Sequence, residues 1–308
     1  MSRVSRKRLS KWISGRRAAT SKSGSYPVAH NGALPAAPVR AGARWLAAYL
    51  HSSHLATRIP VIVAIHQPNF FPWLGYFNKI ARCDVFLVLD DVQYQKTGSS
   101  WSNRVKMLVG GQARWVTAPV RRPAHGTARI DELSWVIEPW RDRLVRTLAA
   151  NYAGAPFFHQ AMDLVRPLIG EPEPSVARYN LKVIRGLCDA LGLPLRRVSS
   201  SQFRLTSASN ERLVELCRHV GCDTYLAGGG AQDYQQDDVF QAAGIRVLYQ
   251  SFQHPVYRQH GSDEFVAGLS IVDALMNCGI EGTRALVRSA PTGADAPHPL
   301  KSSSDEFH

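Results

Sequence analysis

Residues 61–105 read V-I-V-A-I-H-Q-P-N-F-F-P-W-L-G-Y-F-N-K-I-A-R-C-D-V-F-L-V-L-D-D-V-Q-Y-Q-K-T-G-S-S-W-S-N-R-V. Residues 61–65 are an apolar run of buried-strand length, and Asp84 and Asp90 bracket a second, Val-Phe-Leu-Val-Leu. Between them Pro72 can open an amphipathic helix that continues through Lys79. Strand, polar turn, helix and strand in that order form the building unit of a parallel sheet. In a doubly wound sheet, strands that end in His66-Gln67-Pro68-Asn69 and in Asp90-Asp91-Val92-Gln93 deliver those side chains to one rim, the usual ligand-binding edge.

Outward from this unit, residues 104–108 and 114–120 flank Gly110-Gly111, a hairpin signature because consecutive glycines supply positive φ. Helical periods follow over 138–148, 156–169 and 175–191. The βα alternation then resumes: strand 195–199, helix 209–220 capped by Ser209 or Asn210, strand 224–227, helix 237–243, strand 245–252. The expected fold is α/β, with a Rossmann-like, mostly parallel sheet of about five strands flanked by helices. A β-hairpin and a helical insertion separate its second and third strands. A last helix over 270–277 is expected to stop at Gly279. This divides the chain into a basic extension (1–58), an α/β domain (59–280) and a polar tail (281–308).

The 308 residues carry a net charge of +13, which taken whole suggests a nucleic-acid or acidic-membrane partner. The distribution removes that suggestion. Residues 1–60 hold 11 Lys or Arg and no Asp or Glu, which leaves 26 basic against 24 acidic residues in the rest. A nucleic-acid footprint belongs on the folded body, so no nucleic-acid partner is expected. The extension is rich in Ser, Arg, Ala and Gly and reads as unstructured, with a transit peptide or an upstream start as the other readings. No run approaches the length of a membrane span, and the body reads as cytoplasmic. Cys83, Cys188, Cys217, Cys222 and Cys278 include no C-x-x-C pair and read as core thiols in a reducing compartment. The sequence assigns no metal site, no cofactor and no oligomeric state.

Several segments carry groups suited to chemistry. His66 directly follows a strand, and a lone histidine is more often structural than functional. Against that bland reading, Gln67, Asn69, Trp73, Tyr76 and Lys79 occupy one loop and one helix face at i, i+3 and i+6, where they can converge on a cavity. Asp90 and Asp91, at a strand end, can bind a divalent metal, accept sugar hydroxyls or cap the following turn, and because adjacent strand residues point to opposite faces one of the two reads as structural. Trp101, Asn103 and Arg104 add an aromatic face, an amide and a fork suited to anions. The loop Gly228-Gly229-Gly230, leading to Asp233 and Tyr234, follows a strand and lets backbone N–H groups approach an anion, although a plain flexible turn reads equally well. His254 and Tyr257 return to the same rim after the last strand.

Taken together, Ile65 to Phe77, Leu89-Asp90-Asp91-Val92-Gln93, Trp101-Ser102-Asn103-Arg104, Tyr225 to Gly228, Asp233-Tyr234, His254-Pro255-Val256-Tyr257 and Leu269 to Asp273 resemble the WbqC-like protein family. The resemblance spans about residues 60–280. It implies a role in bacterial surface-polysaccharide, lipopolysaccharide or amino-sugar pathways: a transferase moving an acyl or aminoacyl group to a nucleotide-activated sugar, or a non-catalytic sugar-binding module. The small-molecule partner it implies is a nucleotide-activated sugar. On this reading His66 or His254 is the general base, and Asp91 or Asp233 orients the acceptor. Arg104 and the Gly228 to Gly230 loop hold the anionic donor. The opening unit also looks like the start of H-x-G-H nucleotidyltransferases, but Trp73-Leu74-Gly75-Tyr76 stands near that tetrapeptide and both histidines are absent.

Overall fold

The computed structural model describes residues 60–94, 101–122, 127–137, 139–229 and 236–289. The chain runs β1 (Ile62–His66), α1 (Leu74–Ala81), β2 (Val85–Val88), β3 (Arg104–Val109), β4 (Gln112–Thr117), β5 (Val120–Arg121), a 3₁₀ turn (Ile130–Glu132) and β6 (Ser134–Trp135). It continues through α2 (Trp140–Tyr152), α3 (Phe158–Ile169), α4 (Val176–Ala190), β7 (Arg197–Ser199) and a second 3₁₀ turn (Ser200–Gln202). It then forms α5 (Ser209–His219), β8 (Thr224–Gly228), α6 (Asp237–Ala242), β9 (Arg246–Gln250) and α7 (Ile271–Ser289). Five strands form one sheet in the order β7-β2-β1-β8-β9, every neighbouring pair parallel. This is the α/β class that the βα alternation predicts. From β1 the chain moves out to β2 and β7, then returns to β8 and β9 on the other side, so the topological switch lies between β1 and β8.

Two-residue periodicity sorts the strand side chains onto two faces. Val63, Ile65, Leu87 and Ala227 pack in the cluster that holds Val214 and Leu216 of α5 and Phe240 of α6. Ala64, Phe86, Val88 and Leu226 pack in the larger cluster with residues of α1, α4 and α7. The sheet is therefore covered on both faces. Strands buried on both faces need no polar alternation, which is why they read as continuous apolar runs.

The hairpin pairs Val109 with Gln112 around Gly110 and Gly111, whose φ values of 60° and 74° are the positive angles this turn needs. Two buried polar nodes tie the insertion to the sheet. The Asn180 amide, fully buried in α4, donates to the carbonyls of Pro68 (2.9 Å) and Ser102 (2.7 Å). The Asp273 carboxylate, fully buried in α7, accepts from Tyr152 Oη (2.9 Å), Tyr257 Oη (2.7 Å) and Gln259 Nε2 (3.0 Å). Burial pushes its carboxyl upward, and those donors pull the other way.

Two local expectations are corrected. The residue capping α5 is Ala208, which makes no side-chain bond, in place of Ser209 or Asn210. Gly279 does not end the last helix: it adopts φ 69° and ψ −176°, and the helix resumes as far as Ser289, so residues 281–289 belong to an ordered helix rather than a polar tail. The Gln160 side chain accepts from Ile280 N (3.0 Å) and satisfies a backbone donor that the kink frees.

A Cβ at Gly279 would lie 2.7 Å from Phe157 Cδ1 and 2.8 Å from Gln160 Oε1, at a φ that L side chains rarely adopt. Gly279→Ala is therefore expected to destabilise the fold by about 2 kcal/mol, lowering the thermal midpoint by about 4–8 °C in calorimetry. An unchanged midpoint would contradict the rigid kink.

Candidate functional site

β1 and β8 end at the switch point, and their last residues open onto a cavity of about 930 Å³. The parity that points Ala64 toward α1 also points His66 that way. Helix α1 starts at this rim and runs back along the sheet. The side chains of Trp73, Tyr76 and Lys79, at i, i+3 and i+6, all reach the cavity, as the spacing predicts. A helical side chain leans toward its own N-terminus, which carries the long Lys79 chain back to the rim. Several contacts fix where the helix begins. Phe70 N donates to Trp101 O (2.7 Å), Ile271 N to Pro72 O (2.8 Å) and Ser270 Oγ to Phe71 O (2.8 Å). Phe71 itself holds a φ of 41°, unusual for a bulky residue.

His66 Nδ1 lies 3.1 Å from the Gln67 carbonyl, which also accepts from Tyr76 Oη at 3.0 Å. A carbonyl only accepts, so the proton of neutral His66 sits on Nδ1 and Nε2 keeps its lone pair. Burial, with help from the charge on Lys79, lowers the His66 pKa to about 3 against an opposing hydrogen bond from His66 to the Gln67 carbonyl. Lys79 is only 3% exposed, and burial lowers its pKa to about 8. No hydrogen bond or ion pair involves its ammonium among the described residues. A Cβ on Gly228 would lie 3.2 Å from Lys79 Nζ, so the small residue at the end of β8 leaves room for it.

The cavity walls are aromatic on one side, with Trp73, Trp101 and Phe252. The Trp73 indole covers Gly75, where a Cβ would come within 2.2 Å of the ring. His254 packs at 5.1 Å from Trp73 and 5.2 Å from Phe252, and burial lowers its pKa; it buttresses the wall without lining the cavity. On the far side stand Ser209, Asn210 and Arg212 from the start of α5.

Of the sequence-expected residues, the cavity brings together His66, Gln67, Trp73, Tyr76, Trp101, Gly228 and Gly229. Asn69 is buried away from it. Asn103 is a strut, donating to Ala118 O (2.9 Å) and accepting from Tyr94 Oη (3.0 Å). Arg104 lies over the Trp115 ring on the hairpin, 4.4 Å from its centroid, outside the cavity lining. Tyr257 serves the Asp273 node. Gly230, Asp233 and Tyr234 lie outside the described residues.

The two aspartates after β2 both face inward. Asp90 accepts from Ser201 N (3.0 Å) and Ser201 Oγ (2.9 Å), fixing the turn after β7. Asp91 pairs with Arg212 Nη2 at 2.6 Å and accepts from Ser200 Oγ, with both charged side chains largely buried. Sequence reasoning missed Arg212. It lies 121 positions from its partner, and only an acidic residue without an adjacent base could have hinted at it. Arg212 also donates to Leu205 O (3.1 Å), while its Nε has no partner among the described residues. Burial pushes the Cys83 and Cys188 thiols up to about 12, which disfavours their reactive thiolates.

The chain matches the WbqC-like protein family over residues 67–285 and belongs to it. It is also 32% identical over 222 residues to an uncharacterized protein of Mycobacterium tuberculosis, Rv1507c, covering 71% of this chain and 94% of that one. Among the described residues, no helix is long and apolar enough to cross a membrane.

His66 titrates near 6.5 when unfolded and near 3 when folded, so between those values the unfolded chain binds the extra proton. Stability therefore rises with pH across that window and is lost as pH falls from about 6.5 toward 3. Urea unfolding at pH 7.5 and pH 5 is expected to show a loss of about 2 kcal/mol that shrinks in His66→Gln. An equal loss in both proteins would refute the assignment. Asp91→Ala leaves Arg212 charged and unpaired in a largely buried position, and it should cost about 3 kcal/mol in the same measurement. A neutral result would show that the pair is dispensable.

Proposed function

We propose that the chain is a transferase of surface-polysaccharide or amino-sugar biosynthesis, moving an acyl or aminoacyl group onto a nucleotide-activated amino sugar. The observation that carries this reading is the cavity at the β1–β8 switch, about 930 Å³, with indoles on one wall and His66, Gln67 and Asn210 as polar contacts. That volume suits a ligand of nucleotide-sugar size. Trp73 and Trp101 offer flat apolar faces to a sugar ring, and the amides of Gln67 and Asn210 match its hydroxyls. The pathway class comes from the family resemblance, and a nucleotide-activated partner fits a cytoplasmic location.

In this mechanism the sugar amine attacks the acyl carbon of the donor, forming the new N–C bond. His66 Nε2 accepts the amine proton. The tetrahedral intermediate then collapses, the donor's leaving group departs with the bonding electron pair, and the proton on His66 passes to it. One observation favours the competing reading of a sugar-binding module without turnover: in the empty site burial holds His66 at about 3, which makes it a weak base.

Calorimetry with a panel of nucleotide sugars, coupled to mass spectrometry of the products, tests the choice. The transferase reading expects binding of at least one amino-sugar nucleotide, a product carrying the transferred group, and turnover reduced by about 100-fold or more in His66→Ala with binding largely kept. Trp73→Ala should weaken binding instead. Tight binding with no product from any donor would establish the binding module.

A further inference from the structure

We propose that the cavity seats a phosphate-class anion, best a diphosphate, between the Lys79 ammonium and the N-terminus of α5. This deepens the transferase reading, resting on it only in treating the cavity as occupied by ligand. It also moves the anion contact from Arg104 to a residue on α1.

The first observation is Lys79 itself. A side chain 3% exposed carries an ammonium with no acceptor among the described residues, in a cavity lined by His66, Gly228 and Gly229. An uncompensated buried charge costs several kcal/mol, and such groups in folded proteins are paired or hydrogen-bonded. None of the described residues supplies a counter-charge here, and an anionic ligand is the partner that chemistry would fit. Burial already lowers Lys79 to about 8, which is the strain a bound anion relieves.

The second observation lies on the opposite wall. Helix α5 has 11 residues and begins at Ser209 with no side-chain cap, and Ser209 and Asn210 both line the cavity. Its first N–H groups are thus open donors at the positive end of the helix dipole. The charge of Arg212 in the same turn is taken by Asp91. Two separate donors, one ammonium and one helix terminus, suit a ligand with two anionic centres better than a single carboxylate. Gly228 completes the seat, because a Cβ there would lie 3.2 Å from Lys79 Nζ, in the space an anion oxygen needs.

The test uses calorimetry on the full chain with inorganic pyrophosphate, inorganic phosphate and acetate. Pyrophosphate is expected to bind most tightly and acetate least. Lys79→Met should weaken pyrophosphate by about tenfold or more while raising the thermal midpoint of the empty protein, since it removes the unpaired charge. Gly228→Ala keeps the charge but crowds the seat, and it should weaken pyrophosphate as well, so the proposal stays testable if the Met variant fails to fold. Undiminished pyrophosphate affinity in the folded variants, or acetate bound as tightly as pyrophosphate, would overturn it. Lys79-dependent pyrophosphate binding without binding of any nucleotide sugar would support the seat while removing the transferase reading.

Discussion

The parallel pairing of β1 with β2 on one side and β8 on the other sets the rest of this structure. Because the chain leaves β1 in one direction and returns in the other, no crossover covers the ends of β1 and β8, and a crevice remains there. The same register fixes which side chains face it. His66 and Gly228 share the parity of Ala64 and Leu226, so both turn toward α1, where Tyr76 and Lys79 meet them. A one-residue slip in β1 would send His66 to the α5 face.

Apolar packing alone leaves this arrangement loose, because the hairpin and helices inserted between β2 and β7 could pack on the sheet in several ways. Directional groups remove that freedom. Asn180 reaches from α4 to two carbonyls 112 and 78 positions away, and only one placement of the helix satisfies both. Asp273 gathers hydroxyls from α2 and from the segment after β9 in the same way. Leaving such buried groups unmatched costs more than the bonds contribute, so these nodes act mainly by excluding alternatives. The price of that selectivity is visible in Asn180 Oδ1, which has no partner among the described residues.

This explains which parts were legible in the sequence. The sheet and its helices follow from local periodicity, and the half of the site built on β1 and α1 follows from helical spacing, since His66 to Lys79 is one continuous segment. The roles of Asp90, Asp91, Asn103 and Tyr257 were not legible. A polar residue beside a strand looks the same whether it meets substrate or a serine 110 positions away, and in this fold Asp90 meets the serine. The continuation of α7 past Gly279 was hidden for a similar reason. A glycine at positive φ ordinarily ends a helix, and what restarts this one is a side chain from α3, distant in sequence.

The electrostatics of the cavity connect His66 and Lys79. With the site empty, the Lys79 charge helps to hold His66 neutral, and burial disfavours charge on both. An anion seated beside Lys79 acts on the two in the same direction, offsetting the positive charge and raising both affinities for protons. Ligand binding would then make His66 a better base than it is in the empty protein, at the moment an acceptor amine needs one. The lowered basicity of His66 favours the binding-module reading, and an anion beside Lys79 would offset part of it.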